Sequence, residues 1–284
     1  MLLIGLTGSL ATGKSTVSRI LSSPPYSLPI IDADLLARQV VEPGTLGYRR
    51  IVAHFGPTTP DLLLPPPSDD DDDKSKGEGK GKGKDKGKGR PINRAVLGRR
   101  VFGDSSERQR DRKVLNSIVH PLVRLAMARA ILYYYIRLHR AVVLDIPLLY
   151  ESGLDIFCSV VIMVAVSSPS VQLQRLRMRD KSLSEEEARA RVGSQMGVGE
   201  KVGRTRGRGR GRGWVVWNDG DKGILEGEVG RVVREIEGRM GGWWWGLVWG
   251  NPVVVVWVAV WCVWVGWRGR RRWEGERGRE RAKL

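Results

Sequence analysis

Residues 1–22 constrain the fold more tightly than any other part of this chain. The apolar run "MLLIGL" predicts a short buried strand, "STVSRIL" has helical spacing, and the turn between them fits G-x-x-x-x-G-K-[ST] at Gly8, Gly13, Lys14 and Ser15. A glycine-rich turn between a strand and a helix aims backbone N–H groups and the positive end of the helix dipole at one spot, which favours an anion. Gly8, Ser9, Ala11, Thr12, Gly13, Lys14, Ser15 and Thr16 are therefore candidate polyphosphate-binding residues. Lys14 would reach the outer phosphates, and the Ser15 hydroxyl would ligate the magnesium that bridges them. A nucleoside triphosphate follows from this loop, but a reaction and an acceptor do not.

The rest of the chain alternates strand and helix patterns. Residues 27–34, "SLPIIDAD", predict a second strand, on which Asp32 and Asp34 would project to one face. A small-molecule kinase needs a carboxylate of this kind to orient the acceptor hydroxyl and take its proton, although the same spacing also suits a turn with solvated acids. The stretches "AVVLDIPLL" and "SVVIMVAV" are continuous apolar runs, as in buried strands of parallel sheets. Asp145, closing "VVLD", falls where a magnesium-holding carboxylate would sit, or else marks an ordinary strand-end turn. Leu115, Ile118, Val119, Leu122, Leu125 and Ala126 recur at helical spacing, a helix is expected from residue 171 to 179, and Ser184 with Glu187 has capping-box spacing before another. The fold class is α/β, a doubly wound parallel sheet of the P-loop NTPase type with ligands at the strand C-terminal ends.

The formal net charge of +17 sits mostly in three low-complexity places: a lysine-glycine tract at 74–90, "GRTRGRGRGRG" at 203–213, and the tail after Trp267. It does not form a patterned face, so nucleic acid is not an expected partner. Residues 57–90 carry an acidic block and alternating Lys and Gly, and predict a disordered insertion. Cys158 and Cys262 are far apart, which suggests neither a disulfide framework nor a zinc site and fits a reducing compartment. No N-terminal targeting segment is expected, and no guanine-reading "NKxD" pattern is present.

Seven blocks in order, "GLTGSLATGKSTVSRIL", "IIDADLLARQVVEPGT", "NRAVLGRRVF", "LNSIVHPLVR", "VVLDIPLLYESGLD", "QLQRLRMRD" and "LSEEEARARVGSQM", resemble the dephospho-coenzyme A kinases. A weaker echo follows at "WVVWNDGD". The resemblance implies transfer of the γ-phosphoryl of ATP to the 3′-hydroxyl of dephospho-coenzyme A, with a nucleotide-binding core, a helical acceptor-binding region and a mobile lid. It places Asp34 as general base and Asp32 at magnesium or the acceptor. Arg38, Asn116, His120 and Arg124 fall where the family grips the acceptor, and Asn116, His120 and Arg124 share one face of the expected helix. Arg179 falls at or near the family's lid arginine, and Asn218 where the family meets adenine. Other readings keep the loop but change the acceptor to another nucleoside or small metabolite, or make the chain a catalytically impaired nucleotide-binding scaffold on a membrane or RNA.

After Met196 the pattern departs from the family. Each interior glycine costs a helix about 1 kcal/mol, so residues 197–213 predict a flexible Gly/Arg-rich segment closing a kinase domain at 1–240. Residues 243–267 contain no charged side chain before the arginines that follow, are long enough to span a bilayer, and carry tryptophans near both ends. They predict a C-terminal anchor, with a basic tail at 268–284 and a cytoplasmic kinase on the mitochondrial outer membrane, endoplasmic reticulum or peroxisome. The terminal "AKL" resembles a peroxisomal address. Trp, Gly, Val and Arg are also what guanine-rich codons encode, so translated noncoding sequence is the alternative reading of the same tract, and the anchor is preferred for its length, apolarity and basic flank. The oligomeric state is not legible.

Overall fold

The computed structural model describes residues 1–65, 89–103, 105–180 and 184–239, together with Val260 and Trp264. In chain order the elements are β1 (Leu2–Gly8), α1 (Lys14–Ser22), β2 (Ile30–Asp32), α2 (Ala33–Gln39), α3 (Leu46–Phe55), α4 (Arg94–Val101) and α5 (Ser106–Ile136). They continue with β3 (Ala141–Asp145), β4 (Val160–Ala165), α6 (Pro169–Arg179), α7 (Glu185–Gly193), α8 (Val198–Arg206), β5 (Gly213–Trp217) and α9 (Lys222–Arg239). Two compact units result, one of Met1–Asp32 with Tyr133–Leu284, the other of Ala33–Leu132.

The first unit is built on a parallel sheet of order β2-β3-β1-β4-β5. Every residue of β3 and β4 is buried, as their unbroken apolar runs require. The twofold alternation of a strand sorts their side chains. Ile162, Val164 and Val216 face a core completed by Val17 and Leu21 of α1 and by Val229, Val232 and Ile236 of α9. Met163, Ala165, Val215 and Trp217 face the other way, onto Val198 and Val202 of α8. Helices thus cover both faces. Neither β5 nor α8 was expected from the sequence.

In the second unit, the Thr45 side chain caps α3 by accepting from the Tyr48 amide at 3.1 Å. Ile51 and Phe55 of α3 pack with Leu62, Ile92 and Val101, and Leu115, Ile118 and Val119 of α5 close this core. Leu125, assigned to the same apolar stripe, is exposed instead. The predicted insertion at 57–90 begins later than its composition suggests. Leu62 is wholly buried, Leu63 bridges Ile92, and the Leu64 amide donates to the Pro91 carbonyl at 2.9 Å. Two apolar side chains, Leu62 and Ile92, hold both ends in the core, and residues 66–88 lie outside the described residues.

The second strand is also shorter than expected. Helix α2 starts at Ala33 directly after β2, so Asp32 ends a strand while Asp34 stands in the first turn of a helix. The expected alternation of both acids on one strand face is therefore corrected. An acid in a first turn complements the helix dipole, which favours helical conformation at that point. The expected membrane span at 243–267 and the tail at 268–284 lie outside the described residues, Val260 and Trp264 excepted.

Candidate active site

The loop after β1 closes tightly on itself. The Thr12 hydroxyl donates to the Ser9 carbonyl at 2.8 Å, and Ala11 and Gly13 take left-handed φ values of 59° and 92°. Glycine is required at position 13 because a Cβ there would run into the side-chain amide of Asn218. Helix α1 begins at the next residue without a side-chain cap, leaving its first amides to the loop. The Lys14 ammonium meets the Asp145 carboxylate in an ion pair, with side-chain exposures of 17% and 7%. Asp145 lies in register with Leu6 of β1 and with Asp32 of β2, so the two acids end neighbouring parallel strands. Loop, cation and strand-end carboxylates converge at one edge of the sheet.

Among the described residues no group of three or more His, Cys, Asp or Glu side chains is arranged to hold a metal. Ser15, exposed in the first turn of α1, and Asp145 are donors of the hard oxygen type that suits magnesium, which keeps several waters and takes the rest of its shell from phosphates. The donor set fits a cation that arrives with a nucleotide.

Helix α6 stands beside the loop. Gln172, 2% exposed, donates to the Leu10 carbonyl at 2.7 Å, and Leu10 and Ala11 pack against Leu173, Leu176, Ala188 and Val192 of α6 and α7. Ser184 and Glu187 form the predicted capping box at the start of α7. Arg175 donates to the Asn218 carbonyl at 2.7 Å, whereas Arg179, one turn on, is exposed at the end of α6. Asn218 itself follows β5 and turns its amide onto the Thr12 carbonyl at 2.9 Å. Gln172 was missed as a site residue. Its signal was an amide one helical turn from Leu176, on the apolar side of the expected helix, whereas Gln174 is exposed.

The expected flexible segment at 197–213 is corrected most. Its first half is α8, whose Lys201 is wholly buried, paired with Glu151 at 2.9 Å and donating to the Pro147 carbonyl at 3.3 Å. Arg204 and Arg208, one helical turn apart in sequence, reach Asp155 at 3.4 and 3.2 Å, and Arg208 also donates to the Cys158 carbonyl at 2.6 Å. These pairings offset the helix-weakening glycines. Burial pushes the Cys158 thiol and the Tyr150 hydroxyl each up to about 12, Tyr150 despite its 2.6 Å hydrogen bond with Thr205.

The acceptor candidates other than Asp32 lie in the second unit. Asp34 and Arg38 are exposed one turn apart on α2. Asn116, His120 and Arg124 are exposed on one face of α5, apart from the stripe that packs into the core. The first unit thus holds Lys14, Ser15, Asp32, Asp145, Arg179 and Asn218, and the second holds the rest.

A parallel sheet with a glycine-rich turn at the end of its central strand, left-handed residues in that turn and a lysine opening the next helix define a P-loop nucleotide-binding protein of the α/β class. The family model for dephospho-CoA kinase matches residues 2–63 and 85–208, and the chain belongs to that family. It is 43% identical over 164 residues to the dephospho-CoA kinase CAB5 of Saccharomyces cerevisiae, covering 58% of this chain and 56% of that one. It is 39% identical over 161 residues to the dephospho-CoA kinase of Listeria monocytogenes, covering 57% and 64%. The matched region thus spans between about half and two thirds of these relatives. The solved dephospho-CoA kinase of Campylobacter jejuni is similar, with a TM-score of 0.56 at 25% identity, covering 84% of this chain and 98% of that one. So is TT1252 of Thermus thermophilus, with 0.56 at 27%, covering 85% and 98%.

Proposed function

We propose that this protein transfers the γ-phosphoryl group of ATP to the 3′-hydroxyl of dephospho-coenzyme A, giving coenzyme A. The observation that carries this reading is a phosphate loop with its lysine on a strand-end carboxylate, in a chain that matches the dephospho-CoA kinase family from β1 through α8. Triphosphate would take the place of Asp145 on Lys14, and loop N–H groups would stabilise charge on the transferring group. Magnesium, when bound through Ser15 and Asp145, neutralises the phosphates. Asp34 takes the proton of the acceptor hydroxyl, Asp32 positions the acceptor, and Arg179 steadies charge on the phosphoryl group while helping to exclude water. Arg38, Asn116, His120 and Arg124 bind the acceptor, and the family reading of Asn218 gives it an adenine contact.

The full chain supplied with ATP, magnesium and dephospho-coenzyme A is expected to form coenzyme A, and Asp34→Asn to lower the rate about a hundredfold or more. ATP turnover that requires some other nucleoside or small metabolite would overturn the choice of acceptor. The packing of α8 argues against an impaired scaffold, because Lys201, Val202 and Thr205 of the Gly/Arg-rich segment are buried against the sheet.

Residues 243–267 are proposed to anchor the protein in an organelle membrane with the kinase facing the cytosol, supported by the segment's length, its lack of charge and its arginine-rich flank. On this reading the full chain stays with membranes through alkaline carbonate extraction, and a chain ending at residue 240 is released. Release of both would remove the anchor from the proposal.

A further inference from the structure

The phosphate loop has a problem that its own sequence does not solve. An anion-binding loop must present its N–H groups inward, so the carbonyls of the same peptide units must point outward and find partners there. Ala11 also holds a left-handed φ of 59°, a conformation that a residue with a Cβ adopts only when its surroundings impose it. The Leu10–Ala11 and Thr12–Gly13 peptide units are both gripped from outside. The Leu10 carbonyl accepts from the buried Gln172 side chain at 2.7 Å, and the Thr12 carbonyl accepts from the Asn218 side chain at 2.9 Å.

In a planar trans peptide the C=O and the following N–H point in opposite directions. Pinning the Leu10 carbonyl therefore turns the Ala11 N–H away from Gln172, and pinning the Thr12 carbonyl turns the Gly13 N–H away from Asn218. Both N–H groups are thereby committed to the opposite side of the loop, where a phosphate would lie.

We infer that Gln172 and Asn218 form a two-point clamp that sets the phosphate loop in its anion-binding conformation before nucleotide arrives. This rests on the reading of that loop as the ATP site. The clamp is itself held. The Asn218 backbone N–H donates to the Ala165 carbonyl at 2.8 Å, and its backbone carbonyl accepts from Arg175 at 2.7 Å. Gln172 and Arg175 lie one turn apart on α6, and the apolar side chains of α6 and α7 also enclose Leu10 and Ala11. Through Gln172 and Arg175, the helix that ends in Arg179 is tied to the shape of the loop. Gln172 and Arg175 are positioning residues. So is Asn218 in this role, because its side-chain amide donates to the loop at Thr12.

The test separates phosphate from base recognition. Binding of tripolyphosphate and of adenosine, each with magnesium, is measured by calorimetry for the full chain and for Gln172→Met and Asn218→Leu. The clamp predicts that each variant weakens tripolyphosphate about tenfold, the worth of one preorganising hydrogen bond to an otherwise unpaired carbonyl. It also predicts that adenosine binding by Gln172→Met is unchanged, and that KM for ATP rises while KM for dephospho-coenzyme A does not. Tripolyphosphate binding within threefold of the parent in both variants, or a loss confined to adenosine in Asn218→Leu, would overturn it.

Gln172→Glu supplies a second arm should Gln172→Met fold poorly. A protonated carboxyl can donate to the Leu10 carbonyl and an ionised one cannot. Its tripolyphosphate affinity, taken relative to the parent, should fall as pH rises through the ionisation of the new carboxyl, and a ratio that is flat with pH would count against the clamp. If the parent binds tripolyphosphate but forms no coenzyme A, the acceptor assignment falls and the clamp stands.

Discussion

Lys14 and Lys201 make the same pair in two settings. Each lies in a glycine-rich, cation-bearing stretch, and each meets one carboxylate, Asp145 for Lys14 and Glu151 for Lys201. Lys14 keeps 17% of its side chain exposed at the mouth of a loop whose N–H groups await an anion. Lys201 is wholly covered and donates as well to the Pro147 carbonyl, which also accepts from Thr7. The first pair can be exchanged for a phosphate at little cost in packing, and the second cannot be opened without leaving a charge buried. An ion pair can serve as a functional element only where its cation can leave the carboxylate for a ligand that comes and goes.

The largest expected effect tests whether the Lys201 region is scaffold. At Gly213 a Cβ would run into the Thr205 carbonyl oxygen, so Gly213→Ala should separate α8 from β5 and cost more than about 4 kcal/mol, read as loss of cooperative unfolding. Next comes Lys14→Met, which should lower coenzyme A formation about 10²- to 10³-fold, and which also leaves the buried Asp145 carboxylate without its lysine. Lys201→Met should leave that rate within a few-fold of the parent in the folded fraction. It should lower stability by about 1 kcal/mol through the lost hydrogen bond to the Pro147 carbonyl, since Glu151 is exposed and keeps the Met196 N–H. If Lys201→Met instead removed activity without loss of stability, the contrast between the two lysines would fail.

The smallest effect is a titration. Tyr150 and Cys158 hold their protons up to about 12, chiefly because burial disfavours the charged form. Their unfolded counterparts ionise near 10.0 and 9.0. Since the folded values are raised, the stabilisation is fully present below about pH 9 and is lost as pH climbs toward about 12. Unfolding midpoints should therefore vary little with these groups between pH 6 and 8, fall above pH 9, and fall less steeply in Tyr150→Phe. A thiol reagent should label Cys158 at pH 8 only after denaturant is added.

Much of the site was legible in the sequence. The phosphate loop, the buried strands ending near Asp145, the exposed face of Asn116, His120 and Arg124, and the capping box at Ser184 all depend on spacings of a few residues, and all are present. The strand expected to carry both Asp32 and Asp34 failed, because local alternation could not show that α2 begins at Ala33. Residues 197–213 failed more instructively. Composition counts glycines against a helix, but Arg208 is held by Asp155 from 53 positions away and Lys201 by Pro147 from 54.

The sequence by itself determined that this chain builds a phosphate-binding loop between a buried strand and a helix, and that it belongs with the dephospho-CoA kinases. Short-range geometry and hydrophobic periodicity suffice for the loop, because each of those signals is complete within one element, while the family follows from the resemblance of seven blocks in order. Only the tertiary structure decided that Lys201 of α8 is core and not surface, and that the side-chain amide of Asn218 grips Thr12, 206 positions away. Buried polar groups must be paired, and which distant donor meets which carbonyl is settled when the sheet brings the two together.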